Sequence, residues 1–583
     1  MRALVVTLAL ITTTSALMAP RPARACGGFF CNATIPSGQT QPIRIVQAGE
    51  RVLFAKLDDG VRMIVEVRYD GDPTAFAWLL PIPELEPGVE LEDVLSVTVP
   101  EIFDPLQDET EPSFFVAQVT QGPNDCRPSS SSTFGCGGDD AGASAAKNDS
   151  PTGFVPPTPE DGVTITDAAR VGPYDARLLE ATDADSLYAW LGDNGYFQDP
   201  AARPLLAHYI EDGWQFVAVR LANGSDLGDV RPLVLTLGES APCVPLRLTS
   251  IAANDDMPIL VWVLGPGRAI PKNFLHAVVN EQALTFPGGA EYQAIVSRAI
   301  DDASGRAWVT EHAGPTTELA GLLMTSALRQ SILRVDSLRA LADLVGGGLV
   351  NGPTLRGILL AELVPDEAIR PEFEANPVGF LGDDRVTLAH DLATLLGRID
   401  EELLAPLDEV QALLSGAKTV TRFFTTIDPS EMTRDPIFAF NPELPDVARA
   451  HGITVETIVD RSCNGSFRVT YTDGRSVTVP ATGQTIPPIE GAPPLRRVEL
   501  VDEAGPAIAF DPDQVPEVDR LLDGATPGIP TLPGGFELDP APRQPGDVVS
   551  GPIDDDHGCR LALPGAFVVL PLMLLAWRAR RRR

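Results

Sequence analysis

Six histidines, His208, His276, His312, His390, His451 and His557, are the side chains best suited to moving a proton near neutral pH, and they stand singly along the chain. None belongs to an HExxH pair, and there is no GxSxG, no GxxxxGK[ST] and no GxGxxG leading into a helix. Taken one at a time, each histidine reads as an ordinary surface or core residue. His208 lies among Leu205, Leu206, Tyr209 and Ile210, and His390 between Leu388 and Leu392. Hard oxygen donors of the kind calcium takes occur at Asp139-Asp140, Asn254-Asp255-Asp256, Asp383-Asp384 and Asp554-Asp555-Asp556. None follows the D-x-[DN]-x-[DN]-G loop, and solvated charge accounts for all four. Trp78, Trp190, Trp214 and Trp262 could line a carbohydrate groove, but each sits in an apolar stretch that reads as core. The sequence therefore assigns no catalytic, cofactor-binding or metal-binding residue, and calcium is the one metal it leaves open.

Cysteine offers more. The chain has seven, with no CxxC spacing for a structural zinc. In an oxidising compartment Cys26, Cys31, Cys126, Cys136, Cys243 and Cys463 are candidates for three disulfides, in many possible pairings. Glycine in both short loops favours Cys26 with Cys31 and Cys126 with Cys136, which leaves Cys243 with Cys463.

The two ends of the chain supply that compartment. Residues 1–25 read as a secretory signal peptide, with a basic start, an apolar stretch and an Ala23-x-Ala25 cleavage site. Lipidation of Cys26 is an alternative outcome of the same leader. At the far end Leu561 to Trp577 is an uncharged run of 17 residues, just long enough for a membrane span, and five arginines follow within residues 578–583. The positive-inside rule puts those arginines in the cytoplasm and the body of the protein outside the inner membrane. Gly558-Cys559 before the span, with the arginine cluster after it, resembles the myxobacterial C-terminal sorting signal (MYXO-CTERM class). The resemblance implies cleavage near Cys559 and transfer to the cell surface. A formal charge of −36 over 583 residues speaks against nucleic acid as a partner, since phosphates call for clustered Lys and Arg. The expected partners are the membrane, through the C-terminal helix, and an envelope or surface protein or polysaccharide.

The elements that would carry such a surface follow from periodicity. The expected class is α+β: a β-rich N-terminal part, a mixed central part, a helical segment and further β-hairpins, then a disordered stalk and one transmembrane helix. After the leader, residues 26–120 are β-rich. Val52, Phe54 and Leu57 before Asp58-Asp59-Gly60, with Val61, Met63, Val65 and Val67 after it, predict a hairpin, and Phe76 to Pro81 a further strand. Residues 121–160 form a Ser/Gly/Pro-rich insert. An α+β core spans 161–315, with a helix capped by Thr182 and Asp185, a second ending at Gly213, and strands at 214–221, 233–237, 246–248 and 259–264. Over 316–416 the period becomes helical: Leu328, Ile332, Val335, Leu338 and Val345 make one stripe, and Leu388, Leu392, Leu395, Ile399 and Leu403 another. Residues 417–510 return to hairpins, including one around Asp473-Gly474. Residues 511–558, acidic and rich in Pro and Gly, read as a stalk, and 559–583 hold the sorting signal, span and tail.

Several of these stretches together resemble the bacterial family known as domain of unknown function 2330. They are Ala25 to Cys31 (ACGGFFC), Phe76 to Pro83 (FAWLLPIP), Gly172-Pro173-Tyr174-Asp175, Trp190-Leu191 with Asn194-Gly195-Tyr196, Tyr209 to Trp214 (YIEDGW), Thr421 to Thr426 (TRFFTT), and Met432 with Asp435-Pro436. The resemblance covers about residues 25 to 440. It implies a secreted or envelope-attached protein, and no activity or catalytic residue. Two functions fit: a non-enzymatic envelope protein with a binding or structural role, and an extracytoplasmic hydrolase of envelope polymer with two carboxylates as acid and base. A deep pocket in which two carboxylates have pKa values driven apart would favour the enzyme, and a groove without converging polar groups the binder.

Overall fold

The computed structural model describes residues 31–32, 46–70, 77–121, 162–197, 199–221, 230–238, 241–349, 351–459, 465–481 and 485–522. The leader, the insert, the sorting signal and the expected span lie outside them, as do Ala25, Cys26, Cys126, Cys136, Cys463, Gly558 and Cys559. No helix among the described residues is long and apolar enough to cross a membrane.

Strands β1 (Val46–Leu57) and β2 (Gly60–Asp70) form the expected hairpin, joined at Leu57 and Gly60. Next come β3 (Ala77–Ile82), β4 (Leu95–Val97), helix α1 (Phe103–Thr110) and β5 (Ser113–Gln121). The mixed part supplies β6 (Val163–Val171), β7 (Tyr174–Ala181), α2 (Ala184–Asp193), α3 (Ala202–Glu211), β8 (Gln215–Leu221) and β9 (Leu233–Gly238). It ends with β10 (Met257–Gly265), β11 (Leu275–Val279), α4 (Tyr292–Asp302) and β12 (Ala307–Pro315). Helices α5 (Thr325–Ile332), α6 (Leu338–Gly346), α7 (Pro353–Glu362), α8 (Leu392–Ile399) and α9 (Ala405–Gly416) follow. Strands β13 (Thr419–Ile427), β14 (Ala450–Val459), β15 (Gly465–Thr470), β16 (Ser476–Pro480), β17 (Leu495–Leu500) and β18 (Ile508–Phe510) lead to α10 (Val515–Leu522).

A ten-stranded sheet in the order β18-β17-β11-β12-β13-β10-β1-β2-β9-β4 organises the molecule. Period-two alternation sends its side chains to two different cores. Leu53, Leu260, Trp262 and Val420 face the helices, packing with Leu355, Leu395, Leu404 and Leu407. Val52, Phe54, Val261 and Phe423 face the second sheet, β3-β8-β7-β6, meeting Trp78, Leu80, Val217 and Val219. That second sheet alternates too: Leu79, Phe216 and Ala218 turn away from the first and bury against Leu187, Trp190, Leu206 and Tyr209 of α2 and α3. The result is four layers, helix, sheet, sheet and helix. A third sheet, β16-β15-β14-β5, packs Val455, Val469 and Val479 around Phe114, Phe286 and Ile295.

Several sequence expectations change here. Residues 246–248 form a short helix, Leu246–Thr249, in place of a strand, following Pro245. Asp183, not Thr182, caps α2, its carboxylate accepting from the Ser186 amide. The stripe through Leu328 and Val345 is two helices, α5 and α6, interrupted at 333–337, and Leu388 lies on a two-strand ribbon rather than on α8. The first residues of the expected stalk, 511–522, are folded, and the rest of it lies outside the described residues. Residues 512–522 fold back as a short turn and α10, whose Val515 and Val518 are buried in the helix-facing core. Apolar residues at i and i+3 were enough to dock a segment that Pro and Asp content alone marks as extended.

Candidate functional site

Strands β11 and β12 are parallel, and they pair only at Leu275 with Ala307 and at His276 with Trp308. Beyond that point β11 keeps its pairing with β17 on its other edge as far as Val279, while β12 stays on β13 and bulges between Thr310 and His312. The sheet therefore opens between the C-terminal ends of two parallel strands, where α/β folds commonly place ligands. A cavity of about 840 Å³ fills the opening. Ala277 to Val279 form one wall and Val309 to Glu311 the other. The third sheet closes it with Phe114, His451 and Thr472, and residues 443–448 and 505–507 form the rim.

Each polar group there has a traceable position. His276 is 2% exposed. Its Nδ1 lies 3.3 Å from Thr310 Oγ1, and its Nε2 has no hydrogen-bond partner among the described residues. Burial, reinforced by the nearby Arg268 charge, pushes its pKa down to about 3, so the ring is neutral. Glu281, just past the end of β11, lies 2.7 Å from His451 Nδ1 and accepts from the Thr472 amide and hydroxyl. Burial pushes this carboxyl up, but those hydrogen bonds outweigh it and leave the pKa below the usual range. Glu311 behaves in the opposite way. It is 3% exposed, accepts from Arg422 Nε at 2.6 Å, and takes a hydrogen bond from the Tyr292 hydroxyl. Burial dominates these contacts, and its pKa is raised.

Arg422 extends that pair into the core, donating to the Gln107 carbonyl and to Thr110 Oγ1, which also accepts from Trp262 Nε1 at 2.9 Å. Tyr292, Glu311 and Phe114 separate the main cavity from a second one of about 410 Å³, on whose wall Arg422 lies. Among the remaining polar groups of the main cavity, Arg475 is held by Asp473 and Asn280, and Arg497 by Glu499. Arg268 gives one nitrogen to the Pro445 carbonyl at 3.0 Å, but its Nε has no hydrogen-bond partner among the described residues, and the Nε of Arg496 has only a loose ion pair with Asp473 at 3.9 Å.

The residues singled out in the sequence are distributed otherwise. His276 and His451 meet at the cavity, joined by Glu281, which sequence reading passed over. His208 lies by Asp212 and Arg247, His312 is buried on β12, and His390 pairs with Glu362 at 3.0 Å. Asp256 belongs to an acidic group in which burial, and then repulsion from Asp256 and Asp428, raises Asp301. Asp383 is paired with Arg385 at 2.7 Å. No three His, Cys, Asp or Glu side chains among the described residues come together as a metal site. Cys31 lies on a two-residue strand paired with Tyr196–Phe197, and Cys243 bridges by its backbone to Ile437. The four tryptophans are buried in the cores.

The motif residues prove to be structural joints. Tyr209 donates its hydroxyl to Asp435 across 226 positions, at 2.8 Å, and Tyr174 donates to the Arg231 carbonyl. Gly172 turns the β6–β7 hairpin at φ +56, where a Cβ would also run into Val97.

Residues 22–314 match the model of a family described as an uncharacterized protein conserved in bacteria (DUF2330). The match ends short of the 421–436 motifs read from the sequence. No curated protein and no solved structure matches the chain.

Proposed function

We propose a binding role for this chain, which belongs to the DUF2330 family of bacterial proteins: it holds a small ligand in the cavity between β11 and β12. The observation that carries the reading is an imbalance of hydrogen-bonding capacity. The carboxylates Glu281 and Glu311 are both occupied by protein donors, whereas His276 Nε2, Arg268 Nε and Arg496 Nε are buried with no hydrogen-bond partner among the described residues. A site whose two most buried acids are held by protein donors and which keeps free N–H groups is suited to holding a ligand rather than to exchanging protons with one.

The leader at 1–25 and the arginine-locked tail support placement outside the cytoplasm, anchored to the inner membrane or moved to the cell surface after processing at Gly558-Cys559. In that compartment the six cysteines Cys26 to Cys463 would pair, and calcium would be at hand for the acidic surface.

A second reading is hydrolysis of an envelope polymer. What favours it is the opposite displacement of Glu281 and Glu311, one below and one above the ordinary range, at a single cavity, which is the arrangement expected of the enzyme; against it, both carboxylates are held by protein donors.

Mass spectrometry of the intact protein recovered from its native envelope, under conditions that keep complexes together, tests binding and address at once. We expect trimmed ends and a bound small molecule. Ala448 is exposed on the cavity rim, so Ala448→Trp should fill the opening and shed the ligand without unfolding the protein. A ligand retained in full by Ala448→Trp would contradict the site. Turnover of envelope polymer, lost in Glu281→Gln, would replace binding by hydrolysis.

A further inference from the structure

We propose that the ligand of the β11–β12 cavity is a monoanion bearing a carboxylate, seated against Arg268, Arg496 and His276; this rests on the binding role above. The donors define the class. Arg268 has spent one nitrogen on Pro445, and the nearest carboxylate to Arg496 is Asp473 at 3.9 Å, itself already held by Arg475. Neither Nε–H has a hydrogen-bond acceptor among the described residues, and that of Arg496 has only the loose ion pair with Asp473. The buried imidazole of His276 adds a third nitrogen on the same lining. When the Thr310 hydroxyl donates to Nδ1, the neutral ring carries its proton on Nε2 and offers it to the cavity. A buried donor left unsatisfied is costly, so a ligand that satisfies several gains from each. A planar carboxylate matches a guanidinium better than any neutral acceptor does.

The rest of the lining limits the charge. Four arginines and six carboxylates make it net negative, which opposes any anion and a dianion such as a phosphate monoester most, so one negative charge, held locally by Arg268 and Arg496, is the most the site takes. Phe114, Leu284, Val309 and Val447 provide apolar wall for an uncharged remainder.

Two envelope sources share this chemistry, a short peptide with a free C-terminus and a sugar acid. Titration calorimetry on the whole secreted protein separates them, with N-acetyl-alanyl-alanine and glucuronate as probes, each beside its amide. We expect one acid to bind at least about tenfold more tightly than its amide, and Arg496→Gln to remove that preference with the fold intact by circular dichroism. The preferred acid identifies the source. Amides binding as well as acids, with Ala448→Trp blocking both, would overturn the carboxylate and leave the binding role standing. Failure of both acids to bind would overturn the carboxylate, and failure to recover any ligand from the envelope protein would take the binding role with it.

Discussion

Arg422→Met is expected to destabilise the folded protein by about 3 to 5 kcal/mol at neutral pH, read by urea denaturation. Arg422 and Glu311 are 4% and 3% exposed, and their contact at 2.6 Å lies between the helix-facing core and the cavity wall. Methionine keeps much of the volume and the packing on Trp262, so the loss is mainly that of a partner for a buried charge. Burial already raises Glu311 with the arginine present, and removing the arginine raises it further. A carboxyl whose folded pKa lies above its unfolded value contributes stability at low pH and loses it as pH rises through the folded value. The deficit of Arg422→Met should therefore shrink at acid pH. Adding Glu311→Gln should recover part of it at neutral pH, because a neutral amide can stay buried beside Tyr292. A loss under about 1 kcal/mol, or one unchanged by pH, would show that the pair is not a buried charge pair.

Glu50 predicts the second large effect, and it depends on pH. It lies on β1 at 5% exposure, hydrogen-bonded to Gln47 Nε2 at 3.0 Å. Burial pushes its pKa up to about 7, against the 4.5 of a free glutamate, and the Gln47 bond only partly offsets this. The sign follows the same rule. Stability from Glu50 is complete below about pH 4.5 and is lost as pH rises through 7, an amount on the order of 3 kcal/mol. Asp435, raised by burial to about 6, acts in the same direction. His276, lowered to about 3, acts in the opposite one, its contribution being full above pH 6.5 and lost as pH falls. The difference between wild type and Glu50→Gln cancels both. We expect Glu50→Gln to be more stable than wild type at pH 8 and to lose that advantage by pH 5. A difference that does not vary between those pH values would place the Glu50 titration outside this window.

Much of the layered core could be read from the sequence, because alternation is a local property. Ile259 to Leu264 and Phe216 to Ala218 are apolar on both sides, which is what strands between two layers require, and the Asp58-Asp59-Gly60 turn fixes its hairpin on its own. Helix ends were less legible, since Thr182 and Asp183 are both competent caps and only the folded geometry selects Asp183. The cavity could not be read at all. It exists because β11 parts from β12 while staying on β17, a strand more than 200 positions further along, and no local pattern announces where a parallel pair will separate. Its members are equally scattered: Glu281 meets His451 across 170 positions, and Arg422 meets Glu311 across 111. One signal was present. Arg422 lies within Thr421 to Thr426, a strand otherwise apolar or hydroxylated, and a lone arginine in a central strand requires a buried acid opposite it. The motifs that carry the family resemblance, Tyr209 and Asp435 among them, turn out to fasten layers together, so they report the fold and not the ligand.

Whether the opening between β11 and β12 is a binding site is read most directly from a crystal structure of the protein purified, without added ligand, from the cells that make it. Ligand density is expected between Ala277 and Thr310, with acceptor atoms within hydrogen-bond distance of His276 Nε2 and Arg496 Nε. A ligand bound elsewhere, with this opening closed by the two strands or filled by solvent alone, would contradict it.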